Sequence, residues 1–124
     1  VSWPPIVGDR LPRAAEAFGI TEKLVTYSLN IDHPDGGPKA KGFEQILGIT
    51  LADVDHLAKT LCREVLDAVI TNVRDNAPFG FVCGVRLPVT GLRERSDRVI
   101  VIQTAWHLEH ADDRPRLVTA YISG

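Results

Sequence analysis

A change of hydrophobic period between residues 69 and 79 limits what this chain can fold into. From Thr50 to about Val69, the apolar residues Leu51, Val54, Leu57, Leu61, Val65, Ala68 and Val69 recur at helical spacing. They form a stripe over about five turns. Thr50 and Asp53 open it with a capping-box-like T-x-x-D, and Ile49 is set to staple onto Val54. From Phe79 the pattern alternates. Residues 79–89, 98–109 and 115–122 read as strands, separated by turns holding Gly91 and Ser96, then Ala111 to Arg114. Connections this short imply an antiparallel meander. In the second strand Ile100, Ile102, Trp106 and Leu108 point one way, and Val99, Val101, Gln103, Ala105 and His107 the other. In the third, Val118, Ala120 and Ile122 share a face, leaving Leu117, Thr119 and Tyr121 on its reverse. The expectation is an α+β fold, with N-terminal helices packed on one face of a C-terminal antiparallel β-meander sheet. Arg86, Gln103, His107, Thr119 and Tyr121 are the candidates for its partly polar opposite face, although inter-strand register is not set by one strand's pattern.

Two shorter helices precede the long one. The first runs from Thr21 through Leu29 with an Ile20–Val25 staple. The second runs from Pro38 to about Leu47, with Gly37 as N-cap, Phe43, Ile46 and Leu47 on one face, and Gly48 as the stop. Residues 1–13 carry three prolines and a glycine and read as an arm or linker, with Trp3 and Ile6 able to dock on the body. Residues 14–124 then form a single domain. With 124 residues and 44% hydrophobic composition, one core is the expectation. Val1 at the start and the lack of any Met suggest a piece of a longer polypeptide or a processed product. No run of membrane-span length and no signal-peptide pattern is present. Cys62 and Cys83 read as reduced core thiols, too few for a disulfide framework.

The formal net charge is -2, so there is no bulk basic field for non-specific nucleic-acid binding, and a phosphate site must be local. One stretch suggests such a site. Between Asn30 and Gly48, His33, Lys39 and Lys41 surround a Gly36–Gly37 turn that opens a helix. A lysine in a first helical turn is electrostatically misplaced unless an anion sits between it and the backbone N–H groups, and glycines permit close approach of a ligand. The other reading makes Lys39 and Lys41 solvated and His33 a loop residue.

The string H-P-D-G-G-P-K-A-K-G-F, preceded by K-L-V-T-Y-S-L-N and closed by R-L-V-T-A-Y, resembles a bacterial domain family of unknown function found as C-terminal toxin or phage-associated domains. Its pattern H-P-x-G-x-x-K-A-x-x-F is matched by His33, Pro34, Gly36, Lys39, Ala40 and Phe43, and its T-A-Y by Thr119, Ala120 and Tyr121. The resemblance spans about Leu11 to Ile122. It extends, as an analogy of fold, to the metal-independent nucleases grouped with barnase, EndoU, the tRNA-cleaving colicins and RelE. What it implies is a ribonuclease-type toxin domain that needs no cofactor or metal. It would be exported as part of a larger protein, act on RNA (tRNA among the candidates) in a target-cell cytoplasm, and be neutralised by a cognate immunity protein. The slightly acidic charge departs from the strongly basic character of many such nucleases.

Metal-free RNA cleavage needs a base for the 2′-OH, a cation for the phosphate and an acid for the leaving oxygen. The catalytic candidates are His33 as base or acid, Lys39 on the phosphate, and the hydroxyls of Thr119 and Tyr121. Lys41, Gly36, Gly37, Arg86, Gln103 and His107 are the substrate-binding candidates. The histidines lack zinc-ligand spacing, and no P-loop, dinucleotide fingerprint or nucleophile elbow is present. The second class of function is a non-catalytic protein-binding module that uses the open sheet face and the His33 to Lys41 loop.

Overall fold

The second half of the chain folds into an antiparallel sheet, and the helices of the first half cover one face of it. The computed structural model of the protein describes residues 3–123. Strands β1 (Ile70–Asp75), β2 (Phe81–Thr90), β3 (Val99–Leu108) and β4 (Arg116–Tyr121) lie in the order β1-β2-β3-β4, each antiparallel to its neighbour. The helices are α1 (Ile20–Lys23, continued by a π-helical turn Leu24–Ser28), α2 (Gly37–Gly42, continued by a π-helical turn Phe43–Leu47) and α3 (Val54–Glu64, entered through a 3₁₀ turn Leu51–Asp53). This is the α+β arrangement the pattern predicts.

Several expectations need correction. The sheet has a fourth strand, β1, where the sequence reading carried the helix to Val69 and left residues 70–78 unassigned. Only Ile70 of β1 is buried, because this is an edge strand whose polar residues carry no apolar alternation. The arm is not a separate linker. The Gly8 N–H donates to the Ile70 carbonyl at 2.9 Å, Ile70 N–H donates back to Asp9 at 2.8 Å, and Leu11 is in the core, so the domain begins before residue 14. Trp3 docks edge-on against Phe81 with centroids 5.4 Å apart, while Ile6 stays exposed. In the first helix Thr21 is an interior residue, since Gly19 in the left-handed region precedes the helix start, and Val25 is exposed rather than stapled. Among the thiols, Cys83 is buried and Cys62 exposed; both are free, and burial pushes the Cys83 thiol up to about 11.

The core lies between α3, the first two helices and one sheet face. Leu57, Leu61 and Val65 are fully buried in one cluster with Ile102 and Trp106, as the stripe predicts. Leu51 is 46% exposed, because the 3₁₀ turn rotates it off that stripe. Two polar side chains of the core are paired in series, the Trp106 indole N–H donating to Thr104 Oγ1 at 2.8 Å and that hydroxyl to the Val85 carbonyl at 2.6 Å. The buried Ser28 hydroxyl, in contrast, has no partner among the described residues. β4 contains a bulge. Trp106 pairs with Leu117 while Ala105 pairs with Thr119, so Val118 is the extra residue. Leu117 and Ala120 therefore share the core face, and Val118 joins Thr119 and Tyr121 opposite; strict alternation had separated them wrongly.

The end of α2 is held by arginines from the β2–β3 connection. Arg98 donates to the Ile46 carbonyl at 3.0 Å and Arg95 to Gln45 at 3.2 Å, satisfying carbonyls that a helix end leaves open. Arg93 donates to Gly48 O at 2.9 Å and grips Asp53 through two bonds of 3.0 and 2.7 Å. Asp53 also accepts the Thr50 N–H at 3.0 Å, which completes the capping box.

Two outcomes are expected in denaturation experiments. Leu61→Ala should cost about 2–5 kcal/mol, against less than about 0.5 kcal/mol for the exposed Leu51→Ala. The Arg93 bonds, then the Thr50 N–H, hold the Asp53 carboxyl down at about 2 from its usual 3.8 against the opposing effect of burial. Its stabilisation is therefore complete above pH 3.8 and lost as pH falls through about 2. Melting temperatures followed from pH 5 to pH 2 should drop less in Asp53→Asn than in the wild type, the variant being less stable at the start.

Candidate functional site

The sheet face turned away from the helices collects the polar side chains, and the register shows how they line up. Arg86, Gln103 and Tyr121 form one row across β2, β3 and β4. Asn72, Gly84, Ala105 and Thr119 form the next, and Arg74, Val82, His107 and Arg116 the one after. Arg86, Gln103, His107, Thr119 and Tyr121 thus share this face as expected. At its centre is a cleft of ≈ 530 Å³ lined by Asn72, Arg74, Gln103, Thr119 and Tyr121, and closed at the β4 side by Tyr27 and Lys39.

Lys39 reaches this cleft from α2. Ala40, Phe43 and Leu47 of the same helix are buried, which leaves Lys39 directed past the β4 edge. Its ammonium donates to the Tyr27 hydroxyl at 2.7 Å and to Thr119 Oγ1 at 3.4 Å. It lies 4.5 Å from the Tyr27 ring centroid and 5.2 Å from that of Tyr121, so two aromatic faces hold a half-buried cation that no carboxylate among the described residues neutralises. An ammonium has three N–H groups, so one remains for a ligand.

The helix mouth is a different matter. His33 Nδ1 accepts the N–H groups of Asp35 and Gly36 at 3.0 and 2.9 Å, and its carbonyl accepts the Gly37 N–H at 2.7 Å. The donors expected to face an anion are therefore already used within the loop. In a neutral ring the proton is then on Nε2, and His33 packs edge-on against Tyr27 with centroids 4.9 Å apart, outside the cleft lining. The glycines are also explained internally. A Cβ on Gly36, the true N-cap, would collide with the Tyr27 carbonyl, and one on Gly37 would come within 2.7 Å of the Ile31 carbonyl. They permit close approach of the first helix, not of a ligand. Lys41 is exposed on α2 and does not line the cleft; Arg86 is exposed in the same row as Gln103 and Tyr121 but is not part of the lining.

Beyond Arg74, Val82 and Val118 the cleft continues into a recess that also holds His107, Glu109 and Arg116. His107 Nε2 is 2.5 Å from the Phe79 carbonyl, an acceptor only, so Nε2 carries a proton and Nδ1 is the free lone pair of the neutral ring. Lys39, Arg74, Arg86 and Arg116 form no ion pair among the described residues. No group of three His, Cys, Asp or Glu side chains among those residues is placed to hold a metal ion, and no helix is long and apolar enough to cross a membrane.

The family model described as a domain of unknown function (DUF6883) matches residues 10–124. The chain belongs to this family. No curated protein and no solved structure matches it. The family match begins close to Leu11, in agreement with the core contribution of the arm.

In this DUF6883 domain the sequence reading missed Tyr27, Asn72, Arg74 and Arg116. Tyr27 belongs to the K-L-V-T-Y-S-L-N segment but sits in a π-helical turn that periodicity does not reveal. Asn72 and Arg74 lie on the unassigned strand, and Arg116 joins the face only through its pairing with His107. Gly36→Ala should destabilise the domain by about 1–3 kcal/mol, the range for overpacking, as measured by urea denaturation. If Gly36 served ligand approach instead, stability would be unchanged.

Proposed function

We propose that this domain is a metal-independent ribonuclease that binds single-stranded RNA on the open sheet face. The observation that carries the reading is the collection of four cations, Lys39, Arg74, Arg86 and Arg116, without ion pairs among the described residues, on one face of a chain whose net charge is -2. With Tyr27 and Tyr121 beside them, this face offers phosphate contacts and stacking surfaces together.

The available groups suit cleavage through the 2′-oxygen. His107 Nδ1 accepts the 2′-OH proton, and the 2′-oxygen attacks phosphorus. Lys39 and Arg74 carry the charge on the phosphate oxygens. The bond to the 5′-oxygen breaks, leaving a 2′,3′-cyclic phosphate and a 5′-hydroxyl. Tyr27 accepts a hydrogen bond from Lys39, so its own proton is free for the leaving oxygen. Thr119, partner of Lys39, pairs with Ala105, which lies about 7 Å along β3 from His107, so the cation and the base stand on neighbouring rows of one face. Thr119 and Tyr121 act as hydrogen-bond and stacking groups. In this reading the domain is the toxic end of a larger exported protein, acts in a target-cell cytoplasm and is held inactive by a cognate immunity protein.

One observation favours a second reading. Val99 and Val101, on the same face, are 61% and 55% exposed opposite Thr90 and Pro88, an apolar strip suited to a protein partner in a non-catalytic binding module.

Incubation of the purified domain with bacterial total RNA in excess EDTA decides between them. The expected result is fragments ending in 2′,3′-cyclic phosphate, with the rate lowered about 10²–10³-fold by Lys39→Ala and about 10²–10⁴-fold by His107→Ala, in variants whose circular dichroism is unchanged. Intact RNA together with tight binding of a protein partner would establish the binding module instead.

A further inference from the structure

The groove does not end at His107. His107, Glu109 and Arg116 line both the recess that contains Arg74 and a further one of ≈ 420 Å³, whose remaining walls include Phe18 and Arg114. Phe18 is fixed to the edge of the sheet: its N–H donates to Pro115 O at 3.0 Å, and its carbonyl accepts the Leu117 N–H at 3.1 Å. Over its ring lies the Arg114 guanidinium, 4.7 Å from the centroid, with Nε donating to the Glu16 carbonyl at 2.9 Å. The result is a planar cation, pinned on an aromatic ring, in an exposed residue.

We propose that this terminal recess is a nucleobase subsite, in which one unpaired base of the RNA stacks on the Arg114–Phe18 pair while the adjoining phosphates lie along Arg116 and Arg74. The proposal rests on the RNA reading given above and specifies the substrate as a strand with unstacked bases. Guanidinium planes and aromatic faces are stacking surfaces for single-stranded RNA, whose bases can be splayed out, whereas a duplex keeps its base faces covered. The charges at this end separate base from phosphate. Glu109 and Asp113 line the recess and balance Arg114 and Arg116, so it lacks the uncompensated positive charge that Lys39 and Arg74 offer a phosphate, whereas carboxylate oxygens accept the N–H edge of a base. Asp113 Oδ2 is already occupied by the N–H groups of Glu109 and His110, both at 2.9 Å, so the Glu109 carboxylate and Asp113 Oδ1 are the acceptors that face the base. Between the Gln103 and His107 rows the groove extends about 14 Å along β3, longer than a single nucleotide contact needs.

The test measures binding of a 2′-O-methyl pentanucleotide, which cannot be cleaved through its 2′-oxygen, and of an abasic chain of the same length. The wild type should prefer the pentanucleotide. Arg114→Lys, which keeps the charge but loses the plane, and Phe18→Leu, which keeps apolar volume but loses the ring, should each weaken pentanucleotide binding by about 5- to 100-fold and leave the abasic chain unaffected. Neither should alter the slope of log affinity against log salt by more than the error, whereas Lys39→Ala should weaken both probes and flatten the slope by about 0.7. Thermal melts check folding, and Arg114→Lys decides if Phe18→Leu proves unstable. If the wild type prefers the pentanucleotide and both variants bind it equally well, the subsite is overturned and the RNA reading stands. If the wild type binds neither probe, the RNA reading fails and the subsite fails with it.

Discussion

One extra residue in β4 decides what the open face contains. Along an unbroken strand Leu117, Thr119 and Tyr121 would share a side, and burying Leu117 against Trp106 would take both hydroxyl residues into the core. The bulge at Val118 breaks that constraint. Leu117 and Ala120 remain fully buried, while Thr119 faces Lys39 and Tyr121 lines the cleft with it. Bulges occur beside functional sites for this reason: they re-aim side chains without giving up the core.

Lys39 then has to be held in place without being neutralised. A carboxylate would fix it but cancel its attraction for a phosphate. Two tyrosine rings and two hydroxyls fix it without adding negative charge, and each cation–π contact contributes about 0.5–2 kcal/mol. The slightly acidic net charge is little obstacle to such a site, because at physiological salt charges more than about 8 Å away are largely screened. The local face, not the total charge, is what an approaching anion meets.

The helices owe their position to contacts that are equally specific. The close approach of the α2 start to the first helix depends on glycine at position 36, where any side chain would meet the Tyr27 carbonyl. That approach also brings Tyr27 into hydrogen-bond range of Lys39. At the other end of α2, Arg93, Arg95 and Arg98 tie the helix to the β2–β3 connection, so the helix carrying Lys39 is anchored at both ends. His33 contributes as a bracket of this turn, in a position its motif spacing suggested for catalysis.

The α+β plan, the capping box at Thr50 and Asp53, and the buried stripe of Leu57, Leu61 and Val65 were legible because local periodicity and caps encode them directly. The motif singled out Lys39, Thr119 and Tyr121, which the fold brings to one cleft, and the register that aligns Arg86, Gln103 and Tyr121 agreed with their expected common face. Other features came only from tertiary contacts. β1 is held by pairing to β2 and not by its own pattern, so Arg74 and Asn72 could not be assigned to the site. The bulge at Val118 reversed a face that alternation had assigned, and the use of the Gly36 and Gly37 N–H groups by His33 closed the helix mouth to a ligand. Residue type and spacing determine which groups are available, but only packing over long sequence separations decides which of them meet.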